Sequence, residues 1–377
     1  MITGGGLVRA RGIRYATADR FAVPTPVPWD GTRPAERGPA CPQPPSALVS
    51  VVGNSVEGLE FDEHCQVLSV TAPAGASGLP VMVWFHGGAY VTGSGESTKY
   101  EASLLASEGV VVVSVSYRLG VFGYLHDNLG LQDQLVALRW VRDHVAAFGG
   151  DPSNVTVFGQ SAGGDSVYAL MLTDTENLFH RAIMQSAPLG TRSPERPEMA
   201  AALRAAIPVD AATSVEDVLA AQVAAVTEVG PKFSPSGGMP FAPELAAGLG
   251  SAPSRVELLL GHTADDGSPY VPDPEYWEAV TELIFAGGAR DLARDWAAAG
   301  GQVATYLFRW APVGAPLGSC HCMELPFLFD PEGWAGAGML AGQEPDPVLA
   351  KTMRGVWAAF ARNGLDALPS RSLDFGG

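Results

Sequence analysis

The sequence predicts an α/β fold, with a mostly parallel sheet flanked by helices, and three observations support that prediction. Short apolar runs rich in β-branched residues recur: VMVWFHG (81–87), VVVVSVSYR (110–118), VTVF (155–158), AIMQSA (182–187), VELLLG (256–261) and VATYLFRW (303–310). Segments with helical patterning fall between them, and that alternation is the signature of βαβ crossovers. Two of the runs end in glycine-rich turns, the sharper being Gly-Gln-Ser-Ala-Gly-Gly at 159–164.

Taken in order, residues 22–50 carry eight prolines, from Pro24 to Pro45, and read as irregular surface chain. The first two apolar runs are buried strands. The stretch from Leu129 is a helix, with Leu131, Leu135, Leu138, Val141, Val145 and Phe148 at three- and four-residue spacing. Gly149, Gly150 and Pro152 stop it. VTVF is the next strand, a helix follows the 159–164 turn, and AIMQSA is another strand. Residues 188–255 are rich in alanine, proline and glutamate with weak helical patterning, as in a helical cap laid over a sheet. Two further strands restore the sheet, and VLAKTMRGVWAAFARNG (348–364) is a closing helix ended by Gly364. The chain, 1–377, reads as one domain with a cap-like insertion at about 188–255.

Composition narrows the function. Hydrophobic residues make up 47% of the 377, enough for a sizeable core. A net charge of −17 would repel phosphates, which excludes nucleic acid and anionic membranes as partners. No apolar run approaches membrane-spanning length, and the first residues show no secretory signal, so a cytoplasmic location is expected. The four cysteines, Cys41, Cys65, Cys320 and Cys322, form no metal-ligand spacing, so neither a metal nor a cofactor is expected.

Ser161 stands between Gly159 and Gly163, where a strand turns straight into a helix. Such a turn forces its hinge residue into a sparsely populated backbone region, and small neighbours prevent clashes there. The hydroxyl then projects above the sheet edge at a helix N-terminus, the placement of a nucleophile. The bland alternative is a glycine-rich turn with no chemistry. A serine nucleophile also needs a base, a group to orient that base, and donors for the developing oxyanion. HGGAY (86–90) follows directly on a strand and supplies candidate donors in the amides of Gly88 and Ala89, joined by Ala162. In this kind of fold the order is serine, acid, histidine. Of seven histidines only His180, His262 and His321 follow Ser161. His180 leaves no room for an acid and His262 sits where the acid belongs, so His321 is the candidate base. GHTADDG (261–267) offers Asp265 and Asp266 as the acid, and chemistry alone does not choose between them.

These motifs together resemble the type B carboxylesterase family, which also includes cholinesterases and neuroligins. GPACPQ (38–43), HGGAYVTGSG (86–95), NLGLQDQLVALRW (128–140), FGGDPSNVTVFGQSAGG (148–164), LFHRAIMQSA (178–187), GHTADDG and CHCMELPFLF (320–329) look like family blocks in family order. The resemblance implies an α/β-hydrolase fold. It takes the acid directly before glycine, Asp266, where most members carry glutamate. It also carries over Ser161 as nucleophile, His321 as base, and Gly88, Ala89 and Ala162 as oxyanion donors. Cys41 and Cys65 stand where many members have a disulfide. Gln160, Asp165 and the cysteines beside His321 depart from the family pattern. The implied function is a serine carboxylesterase acting on a small-molecule ester through an acyl-enzyme. The alternatives are a tailoring hydrolase or acyltransferase for a bulky ester, lactone or thioester, and a non-catalytic, neuroligin-like binding protein.

Overall fold

The computed structural model describes residues 2–4 and 6–377. Its main sheet is built from β1 (Ile2–Gly4), β2 (Leu7–Arg14), β3 (Val67–Pro73), β4 (Leu79–Phe85), β5 (Val111–Val115), β6 (Gly150–Gln160), β7 (Arg181–Gln185), β8 (Glu257–Thr263), β9 (Val303–Phe308) and β10 (Ser372–Phe375). Across the sheet they run β1-β2-β3-β5-β4-β6-β7-β8-β9-β10. The pairings from β1 to β5 are antiparallel. All pairings from β5 across to β10 are parallel. The carboxyl ends of β4, β6, β7, β8 and β9 therefore lie along one edge, where an open α/β sheet places its ligand crevice.

All six predicted strands form, with shifted ends. β4 stops at Phe85, since Gly88, Ala89 and Tyr90 beyond it all take positive φ. β6 extends VTVF in both directions. The main-sheet strands missing from the sequence reading are β1, β2 and β10, towards the ends of the sheet, and the interior β3. β2 (LVRARGIR) carries three arginines, and Arg9 and Arg11 pair with Glu101, which hides the apolar alternation. β10 has only four residues.

Period-two alternation divides the core between the two faces of the sheet. Val81, Val83 and Phe85 enter one apolar cluster, and Met82 and Trp84 enter the other. The helix Leu129–His144 lies in the first cluster. Leu131, Leu138 and Val141 of its predicted stripe are buried, while Leu135 is only half-buried. The polar Asp133 is buried as well, because its carboxylate receives Arg118 Nε at 2.9 Å, Nη2 at 2.8 Å and the Arg118 backbone N–H at 3.0 Å. Deleting one partner of so buried a pair typically costs about 3–5 kcal/mol. This pair therefore fixes the turn after β5 to the helix.

Between β7 and β8, residues 188–255 hold two longer helices, Arg196–Ala206 and Val215–Val229, and a single turn of helix at Ala252–Arg255, joined by short 3-10 turns and irregular chain. Gln222 ties the second helix to the body by accepting the Val121 N–H at 2.9 Å. The closing helix, Pro347–Asn363, begins with the Asp346 carboxylate accepting the N–H groups of Val348 and Leu349. Gly364 ends it, as its sequence predicts. Among the described residues no helix is long and apolar enough to cross a membrane.

Candidate active site

Ser161 closes β6 and opens the helix Ala162–Thr173 with φ 57° and ψ −126°, a conformation that costs an L-residue energy. Its N–H donates to Gln185 O at 2.9 Å, which anchors the strained turn to β7. The flanking glycines are needed for close packing, not for their own φ. A Cβ on Gly159 would lie 2.4 Å from Gly163 O, and one on Gly163 would lie 2.0 Å from Phe85 O. The helix thus presses directly onto the ends of β4 and β6, and only hydrogen fits between them.

The 86–90 loop lies against this turn. A Cβ on Gly87 would lie 3.0 Å from Ser161 Cβ, and one on Gly88 2.1 Å from Thr92 O. Gly88, Ala89 and Tyr90 have φ of 117°, 54° and 64°. The N–H groups of Gly88 and Ala89 make no hydrogen bond within the described protein. Ala162, as the first residue of its helix, has no carbonyl one turn back to pair with. His86 props the loop from below. Its ring stacks on Tyr117, and Nδ1–H donates to Gly87 O at 2.8 Å. Burial pushes its pKa down to about 4, so the ring is neutral at ordinary pH.

His321, in the loop after β9, is 1% exposed, and its Nδ1 lies 2.6 Å from Oδ1 of the fully buried Asp266. The other oxygen of Asp266 accepts the Thr263 N–H at 3.1 Å. Asp265 takes a different part. Its N–H donates to Ser319 O at 2.9 Å, and its carboxylate accepts the Ser319 N–H at 2.8 Å. Asp265 thereby bonds the loop after β8 to the loop that carries His321. This explains how the shorter aspartate side chain at 266 still reaches the ring. Phe285 and Tyr270 cover the imidazole, with ring centroids 4.9 and 5.6 Å away.

The departures at 160 and 322 are joined. Gln160 Nε2 lies 3.2 Å from His321 Nε2 and 3.4 Å from Nδ1, nearly equidistant, which places the amide over the ring and not along either lone pair. The Cys322 thiol donates to Gln160 Oε1 at 3.4 Å. Asp165 is fully buried, and its charge is met by Arg192, from the 188–255 segment, which donates to both carboxylate oxygens. Tyr90, next to Ala89 in the loop, gives its hydroxyl hydrogen to the same carboxylate at 2.7 Å. Cys41 and Cys65, the pair that the family resemblance places at a disulfide position, are both buried and unbonded to each other.

Ser161, His321, Gly88 and Ala89 open onto one cleft of about 530 Å³, whose walls include Leu48, Tyr100, Met239, Phe285, Leu325 and Trp334. Among the described residues no hydrogen bond joins the Ser161 hydroxyl to the imidazole. His262 lies within β8 and His180 just before β7, and neither lines this cleft.

Glu324 is a buried acid that the sequence reading did not single out. It accepts from Gln185 Nε2 at 3.4 Å, and its Oε2 has no partner. Burial, reinforced by the charge of Asp266, pushes its pKa from 4.5 up to about 8. A carboxyl whose folded value is raised contributes stability that is full below its unfolded value and is lost as pH rises through the folded one. Wild-type stability is therefore expected to fall between about pH 4.5 and 8, by on the order of 4–5 kcal/mol from this group. Glu324→Gln should remove that slope. Urea melts of both proteins at pH 5, 7 and 9 check it, and parallel curves would refute it.

The family model described as the carboxylesterase family matches residues 7–217. The chain is 36% identical to "Probable N-octanoylanthranilate hydrolase AqdA2" of Rhodococcus erythropolis, over 96% of this chain and 90% of that protein. It is 34% identical to the para-nitrobenzyl esterase of Bacillus subtilis (strain 168), over 96% of this chain and 87% of that protein. A solved PNB esterase structure superposes with a TM-score of 0.83 at 30% identity, covering 96% of this chain and 88% of that one. The chain belongs to the carboxylesterase family and is a carboxylic-ester hydrolase with the α/β-hydrolase fold.

Proposed function

We propose that the chain hydrolyses small-molecule carboxylic esters through an acyl-enzyme on Ser161, with His321 as general base and Asp266 as its orienting acid. The observation that carries this is the buried 2.6 Å contact between His321 and Asp266 on a cleft shared with a strained Ser161. Ser161 Oγ attacks the ester carbonyl as His321 Nε2 takes its proton. Asp266 holds the Nδ1–H and stabilises the imidazolium. The amides of Gly88, Ala89 and Ala162 receive the oxyanion, and each such donor is typically worth a factor of roughly 10²–10³. His321 then protonates the departing alcohol. Water, deprotonated by His321, repeats the attack on the acyl group and releases the acid and free Ser161. The serine-to-imidazole hydrogen bond is the one contact that must tighten when substrate binds, a common feature of unliganded sites. The cleft volume suits a drug-sized ester more than a large biosynthetic intermediate. The name of the Rhodococcus relative specifies an N-acyl substrate, and the same groups would cleave an activated amide if His321 protonates the leaving nitrogen.

A fluorophosphonate probe tests the nucleophile without a choice of substrate. A single adduct on Ser161 by mass spectrometry is expected. An adduct at another residue, or none on folded protein, would overturn the assignment.

A further inference from the structure

Among the described residues that line the cleft, Lys99 is the only lysine, arginine, aspartate or glutamate. In a chain of net charge −17 the one lysine, arginine, aspartate or glutamate on the described cleft wall is thus positive. Lys99 sits in the turn Thr98–Tyr100, its own N–H donating to the Ser97 hydroxyl at 3.3 Å, and is 5% exposed. Its backbone is fixed by Trp334 Nε1–H, which donates to Lys99 O at 2.9 Å.

The ammonium is under-partnered. Of its three N–H donors, one reaches Gly333 O at 3.2 Å, and the Trp334 ring centroid lies 4.8 Å away. Among the described residues no carboxylate lies within ion-pair distance of it. The acids that act on it are, first, the Cys322 thiol, which burial keeps protonated, and then Glu57, which is exposed and therefore screened. Burial without a counter-charge is costly for an ammonium, and here it pulls the pKa down. The Gly53 backbone packs closely on the charge: a Cβ there, already disfavoured by φ +76°, would lie 3.3 Å from Nζ. The surrounding wall is apolar and aromatic: Val52, Tyr100, Leu325 and Trp334.

A buried cation with unused donors, placed on the apolar wall of the cleft, matches an anionic oxygen group on an apolar body. We propose that Lys99 is a specificity residue of the cleft, and that the preferred substrates are esters carrying a carboxylate on an aromatic or aliphatic framework. This rests on the hydrolase reading above. The carboxylate takes the remaining ammonium donors, and the apolar body packs against Tyr100 and Trp334. The charge is on the alcohol side or the acyl side of the scissile bond, and the two are separated by experiment.

The test uses two matched pairs. 3-Acetoxybenzoate and 3-acetoxybenzamide differ in charge on the leaving group. The p-nitrophenyl hemiester of adipic acid and p-nitrophenyl hexanoate differ in charge on the acyl group. In one pair the wild type should favour the carboxylate in kcat/KM by roughly 10-fold or more, as expected for a charge-assisted contact. Lys99→Met should abolish or invert that preference, and Lys99→Arg should keep it. Wild type that favours the neutral member of both pairs overturns the proposal, whether or not the methionine variant folds. So does a preference that survives in Lys99→Met. Turnover of the neutral esters without any charge preference refutes the role of Lys99 alone. No turnover of any of the four, by protein that the fluorophosphonate does not label, refutes the hydrolase mechanism and this inference together.

Discussion

Ser161→Ala is expected to lower kcat on a p-nitrophenyl ester by about a millionfold, with little change in Tm. The size of the effect comes from the division of labour at the site. Without Oγ there is no acyl-enzyme, and the base has no proton to take, so the remaining amides can stabilise only direct attack by water. In serine hydrolases that residue of catalysis lies roughly 10³–10⁴ above the uncatalysed rate. The near-constant stability follows from the backbone. Alanine keeps the positive φ that residue 161 already bears, and the anchoring N–H to Gln185 O is a backbone bond. Ser161→Gly separates the two effects further. Glycine adopts that φ without strain, so this variant should be equally inactive yet more stable than Ser161→Ala, by about 1 kcal/mol. Because the nucleophile and base act as a unit, Ser161→Ala/His321→Ala should be no slower than either single variant. A Ser161→Ala protein that retains more than about 1% of wild-type kcat, after removal of contaminating wild type, would refute the nucleophile assignment.

How much of this was legible in the sequence depended on how local each feature is. The turn at Ser161 is written in five consecutive residues, because the close approach of helix to strand needs hydrogen at 159 and 163 and the proposed chemistry needs the hydroxyl at 161. His321 could be reached by chain order. The choice of Asp266 over Asp265 could not be made from residue chemistry, since both are aspartates on one turn. The difference is that one carboxylate faces the imidazole and the other holds Ser319. The central strands read clearly because both their faces are buried, so their residues are continuously apolar. The strand β2, second from one end of the sheet, did not, because its arginines Arg9 and Arg11 are paired to Glu101 from a distant turn. Beyond Ser161, His321, Gly88 and Ala89, the cleft wall was not legible. Lys99 meets Gly333 across 234 residues, and Cys322 meets Gln160 across 162. No pattern of period 2 or 3.6 encodes a contact made only when separate loops converge on a sheet edge.

The Asp266→Asn variant should lose about 10⁴-fold in kcat while remaining folded, and the hydrogen bonds around the carboxylate dictate why. Oδ2 accepts the Thr263 N–H, and Oδ1 faces His321 Nδ1. An asparagine here must turn its one oxygen to the Thr263 donor, because two N–H groups cannot face each other. That leaves its NH₂ pointing at Nδ1, which must then act as acceptor. The imidazole proton moves to Nε2, the atom that should take the proton from Ser161, and the base is in the wrong tautomer. Substrate binding does not use this proton, so KM should change far less than kcat. The tautomer can be read independently from imidazole ¹⁵N shifts of the resting variant. Asp266→Glu restores the charge and the acceptor but inserts a methylene into a fully buried site whose two loops are held together by Asp265 and Ser319. It should therefore recover most of the tautomer and only part of the rate, with a loss of stability of about 1–3 kcal/mol from overpacking. An Asp266→Asn protein within tenfold of wild type would mean that Asp266 does not orient the base. Asp165 and Glu324, the other buried acids nearby, would then have to be tested in its place.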